Sequence, residues 1–424
     1  MLDPQPPIAL YVHLPFCVAR CPYCDFVVYA GGEARGPRAR TERLYEAIRR
    51  ELELRADILD ERFGRPDSGG PRRPLASVYF GGGTPSLVPE EWFQRLMATI
   101  RERFAVTPDA EVTLEANPGP DERGDPAAFA RAGVNRVSFG AQSLDAGELR
   151  RIGRRHSPRD VAAAVEGARA AGIASINLDL LYDIPGQSQA AWEGTLRAAL
   201  ELAPDHLSLY ALTLDDPDVE GITGREGDHL PTPPGARRWR ERARLDQDED
   251  RAADQYGLAT DLLAAAGWRG YEISNWARAG HESCHNLAYW RREPYEAVGP
   301  GAHAFDGSTR RWNAAAMEPY LAALLPDDRG AAASAGGATA KPGLPPGGHE
   351  VLDPQTAAAE QVILALRLDR GVSEAAAFAP PLSAVRLWAE WAGLLESVVL
   401  DGESRIRLTT RGRLLSNELF ARLI

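Results

Sequence analysis

The sequence predicts an α/β protein built as a partial (β/α)6 barrel of the TIM type, followed by a small α+β domain. Two patterns predict the barrel: short apolar, β-rich runs alternate with stretches of helical periodicity, and glycines or polar residues follow the carboxyl end of each run. A change in composition after residue 325 predicts where the barrel ends. The length of 424 residues suits one barrel-sized domain and one smaller domain.

Six strands and six helical segments alternate along the first half of the chain. The strands are predicted at residues 8–14, 76–81, 111–116, 136–141, 176–182 and 206–212. The helices are predicted at residues 40–59, 89–104, 125–132, 145–152, 158–171 and 188–201. Such alternation forms right-handed βαβ units and a parallel sheet. An open, doubly wound sheet has the same local signature and is the alternative architecture.

The loop after the first strand is rich in cysteine. Cys17, Cys21 and Cys24 have the spacing C-x3-C-x2-C, and the chain has four cysteines in all. Three thiolates on one short loop favour an iron–sulfur cluster in which one iron lacks a protein ligand, whereas a structural zinc site has four protein ligands. One alternative is a disulfide with a spare thiol, which the lack of a signal peptide disfavours. The other is a zinc site completed by His13, which its place on the strand disfavours.

The later strands are also followed by residues that a scaffold does not need. These residues are Gly81, Gly82, Gly83, Thr84, Pro85, Glu115, Asn117, Pro118, Gln142, Ser143, Asp179 and Tyr210. Parallel barrels open their βα loops at the carboxyl ends of the strands, so we expect one shared rim with the cysteine loop. Three consecutive glycines let a backbone approach a ligand, and carboxylates accept from hydroxyl or ammonium groups. A simple turn and ordinary surface carboxylates are the alternatives.

Charge and hydropathy narrow the class of protein. A net charge of −12 does not favour a nucleic-acid binder, so no nucleic-acid partner is expected. No segment has the roughly 18 uncharged apolar residues of a membrane helix, and the N-terminus lacks the pattern of a secretory signal. We therefore expect a cytoplasmic protein. Peripheral attachment at the inner face of the cytoplasmic membrane is compatible with this expectation.

Several motifs together resemble one superfamily. The spacing C-x3-C-x2-C after a strand is similar to the signature of radical S-adenosylmethionine (SAM) proteins. Within that superfamily, five strings resemble the oxygen-independent coproporphyrinogen dehydrogenase family and its relative, the heme chaperone HemW family. They are YVHLPFC at 11–17, GGGTP at 81–85, EANP at 115–118, FGAQS at 139–143 and DLLY at 179–182. The resemblance runs from about residue 8 to the C-terminus, and it departs at Asp183, where these families usually have glycine.

The resemblance implies two cofactors and a set of site residues. In the superfamily the three thiolates hold a 4Fe-4S cluster and SAM chelates the fourth iron, so Cys17, Cys21 and Cys24 are the implied metal ligands. The residues implied to line the SAM site are Tyr11, Gly82, Gly83, Thr84, Glu115, Gln142, Arg154, Asp179 and Ala211. Arg154 has an alternative role, because it lies in an arginine cluster that suits a solvated helix end.

Three features favour the HemW branch. The dehydrogenase typically has a fourth cysteine where this chain has Phe26, and it has a long N-terminal extension where only ten residues precede Tyr11. Residues 285–290, HNLAYW, match the HNxxYW motif of HemW. The implied function is a heme chaperone that passes heme to an acceptor protein, of a respiratory, membrane-associated kind. Coproporphyrinogen decarboxylation is the alternative, which we expect to be absent, and a radical enzyme with another substrate is a third possibility.

The HNxxYW segment is the predicted heme site. Imidazole is a standard axial ligand of heme iron, and aromatic rings can cover the faces of a porphyrin. His285 is therefore the favoured heme contact, with Tyr289 and Trp290 beside the porphyrin. Cys284 and His281 are reserve ligands. The alternative is that His285 caps a loop while the two aromatic rings fill the core.

The end of the chain has a different pattern. Residues 1–325 are assigned to the barrel domain, and residues 326–352, rich in Ala, Gly and Pro, are predicted to be a flexible linker or loop. Residues 353–424 carry helical patterns and a hairpin around Asp401-Gly402, which resembles a small winged-helix-like accessory domain. Its arginines at 405, 407, 411 and 413 raise the alternative of DNA binding, which the acidic chain disfavours.

Overall fold

The computed structural model describes residues 3–31, 38–66, 68–224, 226–325 and 343–424, in which helices surround a twelve-stranded sheet. The described strands are β1 (Ala9–Leu14), β2 (Phe16–Cys17), β3 (Tyr29–Ala30), β4 (Leu75–Gly82), β5 (Val106–Ala116), β6 (Arg136–Gln142), β7 (Ser175–Tyr182), β8 (His206–Ala211), β9 (Arg269–Gly270), β10 (Asn275–Ala277), β11 (Tyr295–Val298), β12 (His303–Phe305), β13 (Thr309–Asn313), β14 (Gly347–Val351), β15 (Val372–Ser373), β16 (Leu395–Leu400) and β17 (Glu403–Leu408). The described α-helices are α1 (Arg38–Phe63), α2 (Glu90–Phe104), α3 (Pro126–Ala132), α4 (Ala146–Arg151), α5 (Pro158–Ala170), α6 (Gln189–Glu201), α7 (Pro217–Glu220), α8 (Pro234–Arg244), α9 (Glu249–Ala265), α10 (Cys284–Trp290), α11 (Met317–Leu324), α12 (Pro354–Arg367), α13 (Glu374–Ala377), α14 (Leu382–Trp391), α15 (Thr410–Leu414) and α16 (Ser416–Phe420).

The barrel is formed by strands that follow the order of the chain. Strands β1, β4, β5, β6, β7 and β8 are hydrogen-bonded neighbours in that order, and every adjacent pair is parallel. A doubly wound sheet would reverse its strand order partway through. The predicted (β/α)6 barrel is therefore confirmed, and the doubly wound alternative is wrong.

Strand β1 shows how the pleat positions the site. Leu10, Val12 and Leu14 are buried in the main hydrophobic core. Tyr11 and His13 alternate with them, so they lie on the opposite face, where they line a pocket inside the barrel. One face of the strand thus holds the helices in place, and the other carries residues of the candidate site.

The main sheet extends beyond the six predicted strands. Strand β11 pairs in parallel with β1, and β12, β13 and β14 follow, each antiparallel to the strand before it. On the other side, β10 is antiparallel to β8, and β9 is antiparallel to β10. Sequence periodicity did not indicate these short strands.

Part of the predicted linker belongs to this extension. Residues 326–342 lie outside the described residues, but Gly347–Val351 forms strand β14, so the linker prediction is wrong for that segment. A Cβ atom on Gly347 or Gly348 would collide with Trp312 of β13, so the glycines let the strands approach closely. In the sequence the glycines of this segment indicate flexibility, but in the structure they allow two strands to pack closely.

The C-terminal segment has its own core. Helices α12, α13, α14 and α16 and the three-stranded sheet β15-β17-β16 share one hydrophobic cluster. The hairpin β16–β17 turns at Asp401 and Gly402, both at positive φ, as a two-residue hairpin turn requires. The domain boundaries and the winged-helix-like assignment stay predictions. Across the described ranges, no helix is long and apolar enough to cross a membrane.

Candidate functional site

The cysteine loop connects two very short parallel strands, β2 and β3. Within it the Cys24 N–H donates to the Cys21 carbonyl at 3.2 Å, and the Thr84 hydroxyl donates to Cys17 Sγ at 3.4 Å. Burial raises the pKa of Cys17 to about 11 and that of Cys24 to about 12. Burial therefore favours the thiol form of Cys17 and Cys24, and a bound metal centre would supply the positive charge that favours thiolates.

A buried arginine of α8 holds the loop from behind. Arg240 donates to the carbonyls of Pro22 at 3.1 Å, Tyr23 at 3.3 Å and Cys24 at 2.9 Å. A guanidinium presents five donors in a fixed fork, which suits several carbonyl acceptors at once. Arg240 could not be selected from the sequence, because it lies among other arginines in a helix that carries no motif.

The three glycines at the carboxyl end of β4, Gly81, Gly82 and Gly83, are required by close packing as well as by any ligand. A Cβ atom on Gly81 would lie 2.9 Å from the rings of both Tyr11 and Tyr79, and one on Gly83 would lie 2.7 Å from the backbone carbon of Pro15. Gly82 has φ of +111°, and a Cβ there would collide with the His13 ring. The segment therefore brings its backbone against the cysteine loop, where only glycine fits.

Two partly buried carboxylates lie in the carboxyl-terminal halves of β5 and β7. Glu115 accepts from the Tyr79 hydroxyl at 2.8 Å and from the Gly82 N–H at 3.0 Å, and burial raises its pKa to about 7. Asp179 accepts from the Ser138 hydroxyl at 2.9 Å, and burial raises its pKa as well. A ligand with hydroxyl or ammonium donors would compensate the desolvation of both groups.

Arginine donors without partners lie beside the cysteine loop. Arg154 donates through Nη1 to Asn117 Oδ1 at 2.7 Å, and its guanidinium carbon lies 5.9 Å from the centre of the Tyr23 ring. Its Nε is buried and has no partner among the described residues, and the same holds for Nε and Nη2 of Arg20. These N–H groups can donate to a carboxylate, and SAM carries a carboxylate that needs such donors.

The remaining predicted residues occupy the same rim. Gln142, at the end of β6, has φ of +64°, a strained conformation for a residue other than glycine. Ala211 ends β8 and pairs with Tyr182 of β7. Asp183, which replaces a glycine of the resembling families, also has positive φ, and its carboxylate forms an ion pair with Arg251. The ion pair compensates for a side chain at a position that favours glycine.

A pocket of about 330 Å³, here called the rim pocket, joins these elements. Its walls include Tyr11, Gly82 and Glu115 of the predicted SAM site, Phe26 of the cysteine loop, and Tyr289 of the HNxxYW segment. Cys284, Trp290, Gln142 and Ala211 do not line it. The structure thus brings part of the predicted SAM set and one residue of the predicted heme set together.

The position of His285 argues against its predicted role as the heme ligand. The side chain is buried, its Nδ1 is 2.9 Å from the Ser77 hydroxyl, and its Nε2 is 2.8 Å from the Tyr289 hydroxyl. Burial lowers its pKa to about 3, so the imidazole is neutral. With both ring nitrogens engaged, no nitrogen faces an iron. His285 instead orients Tyr289, whose ring lies at the pocket wall.

The other residues of the predicted heme set lie apart from the rim pocket. His281 is 3.1 Å from the Ser175 hydroxyl, at the first residue of β7 and thus at the amino end of the barrel. Cys284 is exposed, and the Arg367 guanidinium lies 4.3 Å from the Trp290 ring. Trp290 therefore links α10 to helix α12. His13 also has both ring nitrogens engaged, with Tyr11 and Val27, which argues against a zinc site.

Comparisons with known proteins agree with this geometry. Residues 11–199 match the model of the radical SAM superfamily. The heme chaperone HemW of Mycobacterium tuberculosis is 37% identical over 433 aligned residues, which cover 100% of this chain and 97% of that protein. HemW of Escherichia coli is 36% identical over 70% of each chain. The solved structure of the coproporphyrinogen III oxidase HemN from Escherichia coli superposes with a TM-score of 0.74 at 23% identity, covering 99% of this chain and 91% of that one. The fold is thus shared with HemN, and the chain belongs to the heme chaperone HemW family within the radical SAM superfamily.

Proposed function

We propose that this protein is a heme chaperone, which binds heme and transfers it to an acceptor protein. The observation that carries the proposal is the rim pocket, in which residues of the predicted SAM site meet Tyr289 of the HNxxYW segment. Relatives named heme chaperone over nearly the full length of the chain support it. Phe26 supports it too, because an exposed aromatic ring lies where the dehydrogenase has its fourth cysteine.

The cluster and SAM are part of the proposal. Cys17, Cys21 and Cys24 would hold a 4Fe-4S cluster, and bound together the cluster and SAM would supply one-electron redox chemistry. Arg154 and Arg20 would bind the carboxylate of SAM through their unpaired donors. Glu115 would accept from its ribose hydroxyls or ammonium group, in a site where burial strengthens every polar contact.

The acceptor and the place of transfer are also proposals. The resemblance to the HemW family suggests a respiratory, membrane-associated acceptor, which the protein would meet at the inner face of the cytoplasmic membrane. Co-sedimentation with inverted membrane vesicles, with and without heme loaded, tests this step. Equal recovery in the supernatant under both conditions would contradict it.

Heme titration of the anaerobically reconstituted protein tests the main proposal. We expect saturable heme binding, retained in Cys284→Ala, and no decarboxylation of coproporphyrinogen in the presence of SAM and a reductant. Cys21→Ala should lose iron and sulfide, whereas Cys284→Ala should keep both. Robust protoporphyrinogen formation would favour the dehydrogenase reading, and an absence of both activities would favour a radical enzyme with another substrate.

A further inference from the structure

The rim pocket has a pair of histidines, His229 and His303, on its wall. Asp228 lies between them: its Oδ1 is 3.0 Å from His229 Nδ1, and its Oδ2 is 2.8 Å from His303 Nε2. All three residues line the rim pocket, together with Phe26 and Tyr289. One carboxylate thus holds two imidazoles at the edge of the same cavity.

The two histidines differ in which ring nitrogen is free. His229 uses Nδ1 for Asp228, and its Nε2 has no partner among the residues that the structure describes. His303 uses Nε2 for Asp228, and its ring stacks on Trp312 with the centroids 6.1 Å apart and the planes at 24°. The remaining nitrogen of His303 is Nδ1, next to its own main chain. His229 is therefore the better placed of the two to bind a large, flat group through Nε2.

The surroundings of His229 match those of a metal-binding imidazole. A histidine that ligates a metal commonly donates its other N–H to a carboxylate, which fixes the ring and raises its basicity. The hydrogen bond to Asp228 raises the pKa of His229, in agreement with such a pairing. The His229 side chain is 30% exposed and the Phe26 residue 59% exposed, so a planar ligand could enter from solvent.

We propose that His229, through Nε2, is the axial ligand of the heme iron, with Asp228 as the positioning residue that orients its ring. This inference rests on the proposed function, and it moves the ligand from His285, which does not line the rim pocket, to His229, which does. Phe26 and Tyr289 would contact the porphyrin, and His303 would hold Asp228 in place. A half-exposed ligand suits cargo that must leave again, because the acceptor can reach the iron without opening the barrel.

The test compares heme binding in the full-length reconstituted protein and four variants. His229→Ala should lose the absorption and electron paramagnetic resonance signature of imidazole ligation, and added free imidazole should restore it. Asp228→Asn should keep the signature but weaken heme affinity about tenfold, as expected for loss of the carboxylate behind a ligating histidine. His303→Gln should have a smaller effect. His281→Ala, at the amino end of the barrel, is the matched control and should behave as the wild type.

The outcomes separate this inference from the function on which it rests. Heme binding with an unchanged signature in His229→Ala would overturn His229 as the ligand and leave the chaperone proposal standing. A wild-type protein that binds no heme would overturn both. The iron and sulfide content and the circular dichroism of each variant should match the wild type, so that loss of heme reports the ligand rather than misfolding.

Discussion

Changing Glu115 to Gln should remove a pH dependence from the stability of the cluster-free protein. Burial raises the pKa of Glu115 from 4.5 to about 7. The unfolded chain thus loses this proton near pH 4.5, whereas the folded protein keeps it until about pH 7. Since Glu115 binds more protons in the folded state in that window, its contribution to the free energy of unfolding falls as the pH rises through it and is smaller above pH 7 than at pH 5.

The size of the effect follows from the two pKa values. At 1.36 kcal/mol per pKa unit, the difference between 4.5 and about 7 corresponds to roughly 3 kcal/mol in total. Between pH 5 and pH 8 the contribution of Glu115 to wild-type stability should fall by about 2.5 kcal/mol. Tyr79 and Gly82 donate to different oxygens of Glu115, so Gln, with one oxygen, keeps only one of the two hydrogen bonds. The cost of the lost bond is the same at both pH values and cancels when they are compared.

Urea unfolding followed by circular dichroism, in anaerobic buffer with reduced thiols, measures this difference. Wild type, Glu115→Gln and Glu102→Gln are compared at pH 5 and pH 8, because Glu102 is an exposed carboxylate on α2. The stability of Glu115→Gln relative to the wild type should rise by about 2.5 kcal/mol from pH 5 to pH 8, whereas Glu102→Gln should follow the wild type. A constant difference between Glu115→Gln and the wild type would refute the reasoning from burial.

Two further substitutions probe the supports of the cysteine loop. Arg240→Ala should lower the amount of iron and sulfide bound after anaerobic reconstitution, because three loop carbonyls lose their donor. The iron content of Arg240→Lys should lie between that of Arg240→Ala and that of the wild type. Equal iron content in all three proteins would contradict a role for Arg240. Gly82→Ala should destabilise the protein by about 2 kcal/mol or more, because of its positive φ and the collision with His13. The helical Gly194, with open space around it, is the control, and Gly194→Ala should stabilise by about 0.5–1 kcal/mol in the same thermal unfolding experiment.

The barrel could be predicted because its signals are local. Each of the six strands is a short apolar run that a helical pattern follows, and the observed elements lie close to the predicted ones; β5 differs most, starting at Val106 rather than residue 111. Strand β11 could not be predicted in this way. It has four residues, and its partner β1 lies at the other end of the barrel sequence, so no nearby residue indicates the pairing.

The site was predictable where residue type and chain position coincide. The cysteines, Glu115 and the glycines of β4 lie at or just after the carboxyl ends of barrel strands, and parallel topology brings such positions to one rim. The predicted heme residues do not lie at the carboxyl ends of barrel strands, so topology could not place them. His285 is the first residue of the HNxxYW motif, but its side chain contacts Ser77 on β4. No spacing of residues in the sequence indicates this contact. His229 and His303 carry no joint motif, and only the folded chain places Asp228 between them.

The attachments of the cysteine loop have a consequence for how the protein is made. The loop is synthesised early, but Arg240 holds its carbonyls, and the Tyr29 hydroxyl just after it donates to the Ala315 carbonyl at 2.8 Å. Gly301 packs against Val27 so closely that a Cβ there would lie 2.7 Å from the valine side chain. On the ribosome these contacts become available only after most of the barrel has emerged. Until then the three thiols are exposed on an unsupported segment, so the cluster has its complete binding site only late in synthesis or after release.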